Sequence, residues 1–177
     1  MKIAFMVGSL REDSFNKKLA QAIAARLPEG AEAVWIDMNV PLFSQDYEPD
    51  SLPDSVHRAV AMVQASDAVI VVSPEYNRSF SGVLKNMLDW LSRESVGYPL
   101  DKKIGAVAGA SDGSIGTAVM QSHLRPVLAH IGMDIVALPE VFVSVPSRMS
   151  EAGEPNERMT KTLDAMIENV LHRVASK

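Results

Sequence analysis

The chain has 177 residues, 47% of them apolar, a formal net charge of −5 and no cysteine. That length fits one domain spanning 1–177 with a sizeable core, and the mild acidity offers no cluster of Lys and Arg for nucleic acid or a membrane surface. The lack of cysteine excludes disulfides, thiolate nucleophiles, Fe–S clusters and Cys-ligated zinc, and His57, His123, His130 and His172 show no metal-ligand spacing, so no metal is expected.

Taken in chain order, Lys2 to Val7 reads as a buried strand. The run from Met1 to Val7 is too short for a signal peptide, and nothing like a cleavage site follows. No apolar stretch approaches the roughly 18 residues of a spanning helix, and the expectation is a soluble, cytoplasmic protein. Ser14 to Leu27 predicts a helix through the spacing of Leu19, Ile23 and Leu27, ended by Pro28-Glu29-Gly30. Ala33 to Ile36 predicts a second strand, and a polar, proline-containing stretch follows from Pro41 to Pro53. Val56, Val60 and Val63 predict a helix over Asp54 to Ala65. Ala68 to Val72 is a continuous run suited to a central parallel strand covered on both faces. Gly82 to Leu91 predicts a short apolar helix, Ile104 to Ala108 a fourth strand and Thr117 to Ile131 a helix. Ile135 to Leu138 predicts a fifth strand, with Val141 to Val145 an extension or a separate edge piece. Glu157 to Val174 predicts the closing helix, with Leu163, Ile167, Val170 and Val174 on one side.

Strands and helices thus alternate about five times, a pattern that implies βαβ units and a five-stranded, doubly wound parallel sheet with helices on both faces. Ligands of such folds bind beyond the carboxyl ends of the strands. Three loops meet there: Gly8 to Asn16, Ser73 to Ser81 and Gly109 to Gly116.

The first loop joins a strand to a helix, so free backbone N–H groups and the positive helix end face it. Ser9, Ser14 and Asn16 add neutral donors and Arg11 a forked cationic one, a set that matches a phosphate monoester. The plainer alternative is that Ser14 only caps the helix and Arg11 is solvated. Neither a Walker loop nor a three-glycine dinucleotide fingerprint is present, and Met6 and Val7 stand where a receiver domain needs acidic residues. In the second loop, Pro74 stiffens the strand exit, Tyr76 offers a flat surface and Asn77 both a donor and an acceptor, which suits a planar heterocycle. Its alternative is a plain turn, with Asn77 and Gly82 there for backbone reasons. The third loop holds Gly109-Ala-Ser-Asp-Gly113, which formally matches a nucleophile elbow. A serine hydrolase would use Ser111 with His123, His130 or His172 as base, whereas Gly113 and Gly116 also fit simple turn geometry.

Together the loops resemble the NADPH-dependent FMN reductase family, which includes quinone, chromate and azo-dye reductases. The resemblance rests on Gly8-Ser-Leu-Arg-Glu-Asp-Ser-Phe-Asn16, Pro41-Leu-Phe-Ser-Gln-Asp46, Ser73-Pro-Glu-Tyr-Asn77 and Gly82-Val-Leu-Lys-Asn-Met-Leu-Asp-Trp-Leu-Ser-Arg93, in that order along most of the chain. Ser81 stands where the family commonly has proline, and Thr117 where a second glycine is common. The resemblance implies a flavodoxin-like fold that binds FMN and uses NADPH or NADH as co-substrate. Ser9, Arg11, Ser14 and Asn16 would hold the phosphate, with Phe15 counted among the cofactor-binding residues of the same loop. Pro74, Glu75, Tyr76 and Asn77 would border the isoalloxazine, and Ser111 and Gly113 would approach it from the third loop. Bound FMN would carry the chemistry, with no catalytic side chain, and pass electrons to a small-molecule acceptor such as a quinone, azo compound, metal oxyanion or free flavin. The alternative is a flavodoxin-type electron carrier without nicotinamide turnover; Arg11 and the modest charge favour the enzyme. Helix 82–93 carries two apolar stripes, Val83-Met87-Trp90 and Leu84-Leu88-Leu91. One satisfies the core and the second suggests a partner surface, in line with the homodimer or homotetramer that the resemblance implies.

Overall fold

A computed structural model describes residues 1–48, 51–145 and 147–177. Three strands form the centre of the sheet: β1 (Lys2–Val7), β3 (Ala68–Val72) and β6 (Ile104–Ser111). Apart from Lys2 and Ser111 every residue in them is buried, as parallel strands sandwiched between helices require. The edge strand β2 (Glu32–Trp35) pairs with β1, and the order runs β2, β1, β3, β6, all parallel.

The sheet alternates its side chains between two cores. On one face Ile3, Phe5, Ile70 and Ala106 pack against α1 (Phe15–Ala24) and α5 (Glu157–Ala175). On the other, Ala4, Met6, Val69 and Val107 meet α2 (Asp54–Gln64), α3 (Gly82–Leu91) and α4 (Ala118–His130). No helix among the described residues is long and apolar enough to cross a membrane.

The fifth sheet position is a broken strand rather than Ile135–Leu138. β7 (Asp134–Ile135) pairs with Ile104 and Gly105, and β8 (Val141–Ser144) with Ala108 to Ser111, both on the same edge of β6. Between them Pro139 has no N–H to offer a ladder. Pairing with β8 also carries β6 three residues past the expected Ala108, so Gly109, Ala110 and Ser111 are strand and the loop begins at Asp112. The second loop contains a hairpin that the pattern did not reveal, β4 (Glu75–Tyr76) against β5 (Ser79–Phe80). Its two-residue turn places Asn77 and Arg78 at φ of 50° and 64°, the left-handed pair that a tight hairpin demands.

Helix α3 corrects a further expectation. Leu84, Met87, Leu88, Trp90 and Leu91 are all buried within the chain and Val83 is half-buried, so its second stripe is not a free partner surface. The segment after β2 covers it. The Trp90 indole and the Asn86 amide each donate to the Pro41 carbonyl at 2.9 Å, and the Phe43 N–H donates to Asn86 Oδ1 at 2.8 Å. The Phe43 ring stands edge-on to Trp90 at 5.0 Å. Arg93 closes this strap, donating to both Glu48 carboxylate oxygens at 2.8 and 3.0 Å. Those bonds hold the Glu48 carboxyl below its ordinary pKa.

Candidate functional site

The carboxyl ends of β1, β3 and β6 open into one cleft. Two close approaches shape it. A Cβ on Gly8 would lie 2.7 Å from Ser81 Oγ and 3.1 Å from Leu84 Cβ, so only glycine lets the end of β1 rest on the first turn of α3. Gly109 sits just as tightly against the Ser73 carbonyl and the Thr117 hydroxyl. Ser81 caps α3, its Oγ accepting from the Leu84 N–H at 3.2 Å.

The first segment gives the cleft Ser9, Arg11, Ser14, Phe15 and Asn16. Ser14 is the N-cap of α1, its hydroxyl accepting from the Lys17 N–H, and the first N–H groups of α1 have no intrahelical acceptor. Ser9 is buried, and its hydroxyl has no hydrogen-bond partner among the described residues. The Arg11 guanidinium is exposed and makes no ion pair among the described residues. Nearby, Lys18 bonds Asp13 at 2.5 Å and holds that carboxyl below its ordinary pKa. Asn16 differs from the expected phosphate donor. Its Nδ2 donates to the Ala110 carbonyl and its Oδ1 accepts from the Ala110 N–H, both at 2.9 Å. Its amide thus ties the start of α1 to the end of β6.

From the second segment come Pro74, Glu75 and Tyr76. Tyr76 is half exposed, with a flat ring at the cleft, whereas Asn77 stands at the exposed tip of the hairpin and does not line it. The Glu75 carboxylate turns inward, where Oε2 accepts the Met120 N–H at 3.0 Å in the first turn of α4. A carboxylate there satisfies an orphan donor and the helix dipole together.

The third segment brings Ser111, and with it Ala110 and Asp112, two lining residues the sequence did not single out. They lie inside the Gly109–Gly113 motif but were hidden by the expected strand end. Gly113 is exposed and does not line the cleft; its N–H donates to Ser111 Oγ at 2.9 Å. Among the described residues no histidine bonds Ser111, and His123 lies instead 3.4 Å from Ser79 Oγ. The hydrolase reading therefore has no base at its serine.

The donor chemistry fits FMN: unshared N–H groups, an unpartnered serine hydroxyl and a free guanidinium on one side, flat Pro74 and Tyr76 on the other. Comparison with known proteins gives the same direction. Residues 1–149 match the family model described as NADPH-dependent FMN reductase. The chain is similar to a 2-hydroxy-1,4-benzoquinone reductase of a Burkholderia species, 44% identical over 81% of this chain and 78% of that one. It is similar to an NAD(P)H-dependent FMN reductase of Pseudomonas aeruginosa, 37% identical over 81% of this chain and 78% of the relative. Among solved structures it is similar to FerB, a flavoenzyme NAD(P)H:(acceptor) oxidoreductase from Paracoccus denitrificans. The two share 31% identity and a TM-score of 0.90 over 99% of this chain and 97% of that one.

Proposed function

Since the chain belongs to the NADPH-dependent FMN reductase family and is an FMN-dependent NAD(P)H oxidoreductase, we propose that a quinone is its electron acceptor and that the cleft between β1, β3 and β6 is where FMN sits. The quinone is supported by the 44% identical relative, named for a benzoquinone substrate. The site is supported chiefly by one observation: Ser9 and Arg11 bring uncommitted donors to the start of α1, while Tyr76 lines the same cleft.

In this reading Ser9, Arg11 and the first N–H groups of α1 bind the phosphate. Arg11 adds a charge-assisted bond from a fork that suits phosphate oxygens. Ser14 and Asn16 act mainly through position, one capping α1 and the other fixing it to β6. Pro74, Tyr76 and Ser111 border the ring system, and Glu75 holds their hairpin against α4. FMN held there would supply the redox chemistry, a two-electron transfer from NAD(P)H that, with protons, reduces the quinone to its hydroquinone. The chain need supply no acid or base, and Glu75, the carboxylate that lines the cleft from the hairpin, is already engaged by Met120.

We also propose that residues 1–177 form one domain, that the protein is cytoplasmic, and that it assembles as a homodimer or homotetramer. The last is supported by the family resemblance, since the stripes of α3 are buried. Sedimentation velocity tests it. For the function, purified protein should be yellow or take up FMN, and adding NADPH should bleach the flavin until a benzoquinone restores it. A protein that takes up no FMN overturns this reading and the electron carrier alike, whereas one that binds FMN but never oxidises NADPH with a quinone reopens the electron carrier.

A further inference from the structure

A second cavity, of about 420 Å³, lies between α1 and the end of β2. That volume is within the range of small-molecule sites. Ser9 lines both it and the first cleft, so the two cavities flank a single loop residue. Trp35 provides one wall. Its ring stacks on Phe5 at 4.8 Å and 27°, yet the residue stays 43% exposed. An indole held flat by one neighbour and open to a cavity is a ready platform for a heterocycle.

The polar groups around it are largely uncommitted. Lys17 makes no ion pair among the described residues, and its Nζ has only the Leu10 carbonyl at 3.5 Å. Asp37 accepts the Asn39 N–H through Oδ1 at 2.9 Å, which leaves Oδ2 available. The Gln21 side chain lines the same wall, and Met38 and Leu10 supply apolar surface. One aromatic face, one cation, one carboxylate and one amide describe a nucleoside phosphate more closely than an apolar acceptor. In dinucleotide-binding doubly wound sheets a carboxylate beyond the first strand and helix takes the ribose 2′-OH of NAD, whereas an arginine accommodates the 2′-phosphate of NADP, and Asp37 is of the first kind.

We propose that this cavity receives the adenosine half of the nicotinamide dinucleotide. The adenine stacks on Trp35, Asp37 accepts from the ribose hydroxyls, and Lys17 faces a phosphate. The inference rests on the reading of the first cleft as the FMN site, because flavin there leaves the dinucleotide's far end to find another surface, and Ser9 makes the two cavities neighbours.

The test uses the FMN-loaded enzyme with two hydride donors, NADH and reduced nicotinamide mononucleotide, which lacks the adenosine half. ADP should compete with NADH. Trp35→Ala should raise the KM for NADH about ten-fold, the order expected for one lost base stack, and should raise it less for the mononucleotide. Trp35→Leu, which keeps apolar packing on Phe5, should behave the same way, and Lys17→Gln should weaken ADP. The proposal is overturned if these variants keep their flavin and their wild-type KM for NADH, or if ADP does not compete. A wild-type protein that takes up no flavin or oxidises neither NADH nor NADPH fails at the first cleft instead, and the two failures are thereby told apart.

Discussion

Asn16 and Ala110, 94 residues apart, exchange a pair of 2.9 Å hydrogen bonds, the side-chain amide of one reading both backbone groups of the other. Asn16 thereby occupies the position a neighbouring strand would take at the end of β6. The bond pair fixes how the first turn of α1 stands over the cleft, and through it the direction of the free N–H groups.

Asn16→Ala would leave the Ala110 N–H and carbonyl unpaired in a buried setting. The expected loss is about 2–4 kcal/mol of stability, from two orphaned groups at about 1–2 kcal/mol each, read by urea denaturation. Asn16→Asp keeps the acceptor, loses the donor and sets a negative charge beside the phosphate position. Its FMN affinity should fall even where the fold survives. Wild-type stability in Asn16→Ala would remove the tie from the account.

Arg11→Ala separates binding from folding. Its guanidinium touches no partner among the described residues, so the unfolding temperature of the apoprotein should not move. The loss of one charged hydrogen bond, about 1.5–3 kcal/mol, should weaken FMN binding roughly 10- to 100-fold. Flavin fluorescence titration measures it, and full flavin retention removes Arg11 from the phosphate site.

Glu75→Ala should free the hairpin of β4 and β5 from α4. The Met120 N–H loses its carboxylate partner, and an N-terminal cap of this kind contributes about 1 kcal/mol. Amide exchange at Met120 should accelerate and the melting temperature should fall. Glu75→Gln, which still accepts a hydrogen bond, should recover most of the capping. Unchanged exchange at Met120 would show that Glu75 does not anchor the hairpin.

The strap over α3 should be acid-sensitive. Arg93 holds the Glu48 carboxyl below its ordinary value of 4.5. A carboxyl lowered on folding adds stability above that value, and loses it as pH falls from 4.5 through the lowered one. Glu48→Gln should therefore melt below wild type at neutral pH, with the gap closing as the medium is acidified below 4.5. A gap that persists unchanged in acid would mean the charge contributes nothing.

Much of this protein is set by short stretches of sequence. Ala68–Val72 and Lys2–Val7 are apolar at every position or nearly so, which only strands covered on both faces require. Ser14 offers a cap just where the helical period begins, and Gly8-Ser-Leu-Arg carries donors where the first strand hands over to a helix. These signals live in side-chain period and in residues a few positions apart, so they are legible without the fold. Tertiary structure decided whatever depended on distant partners. Asn16 looked like a phosphate donor until Ala110 took its amide. The second stripe of α3 looked like an interface until Pro41 and Phe43 covered it. β6 ran on past Ala108 because β8 arrived to pair with it, and Asp112, not Gly113, came to line the cleft. In each case the free energy comes from satisfying a buried polar group or apolar face with atoms far along the chain, and no local pattern records which atoms those are.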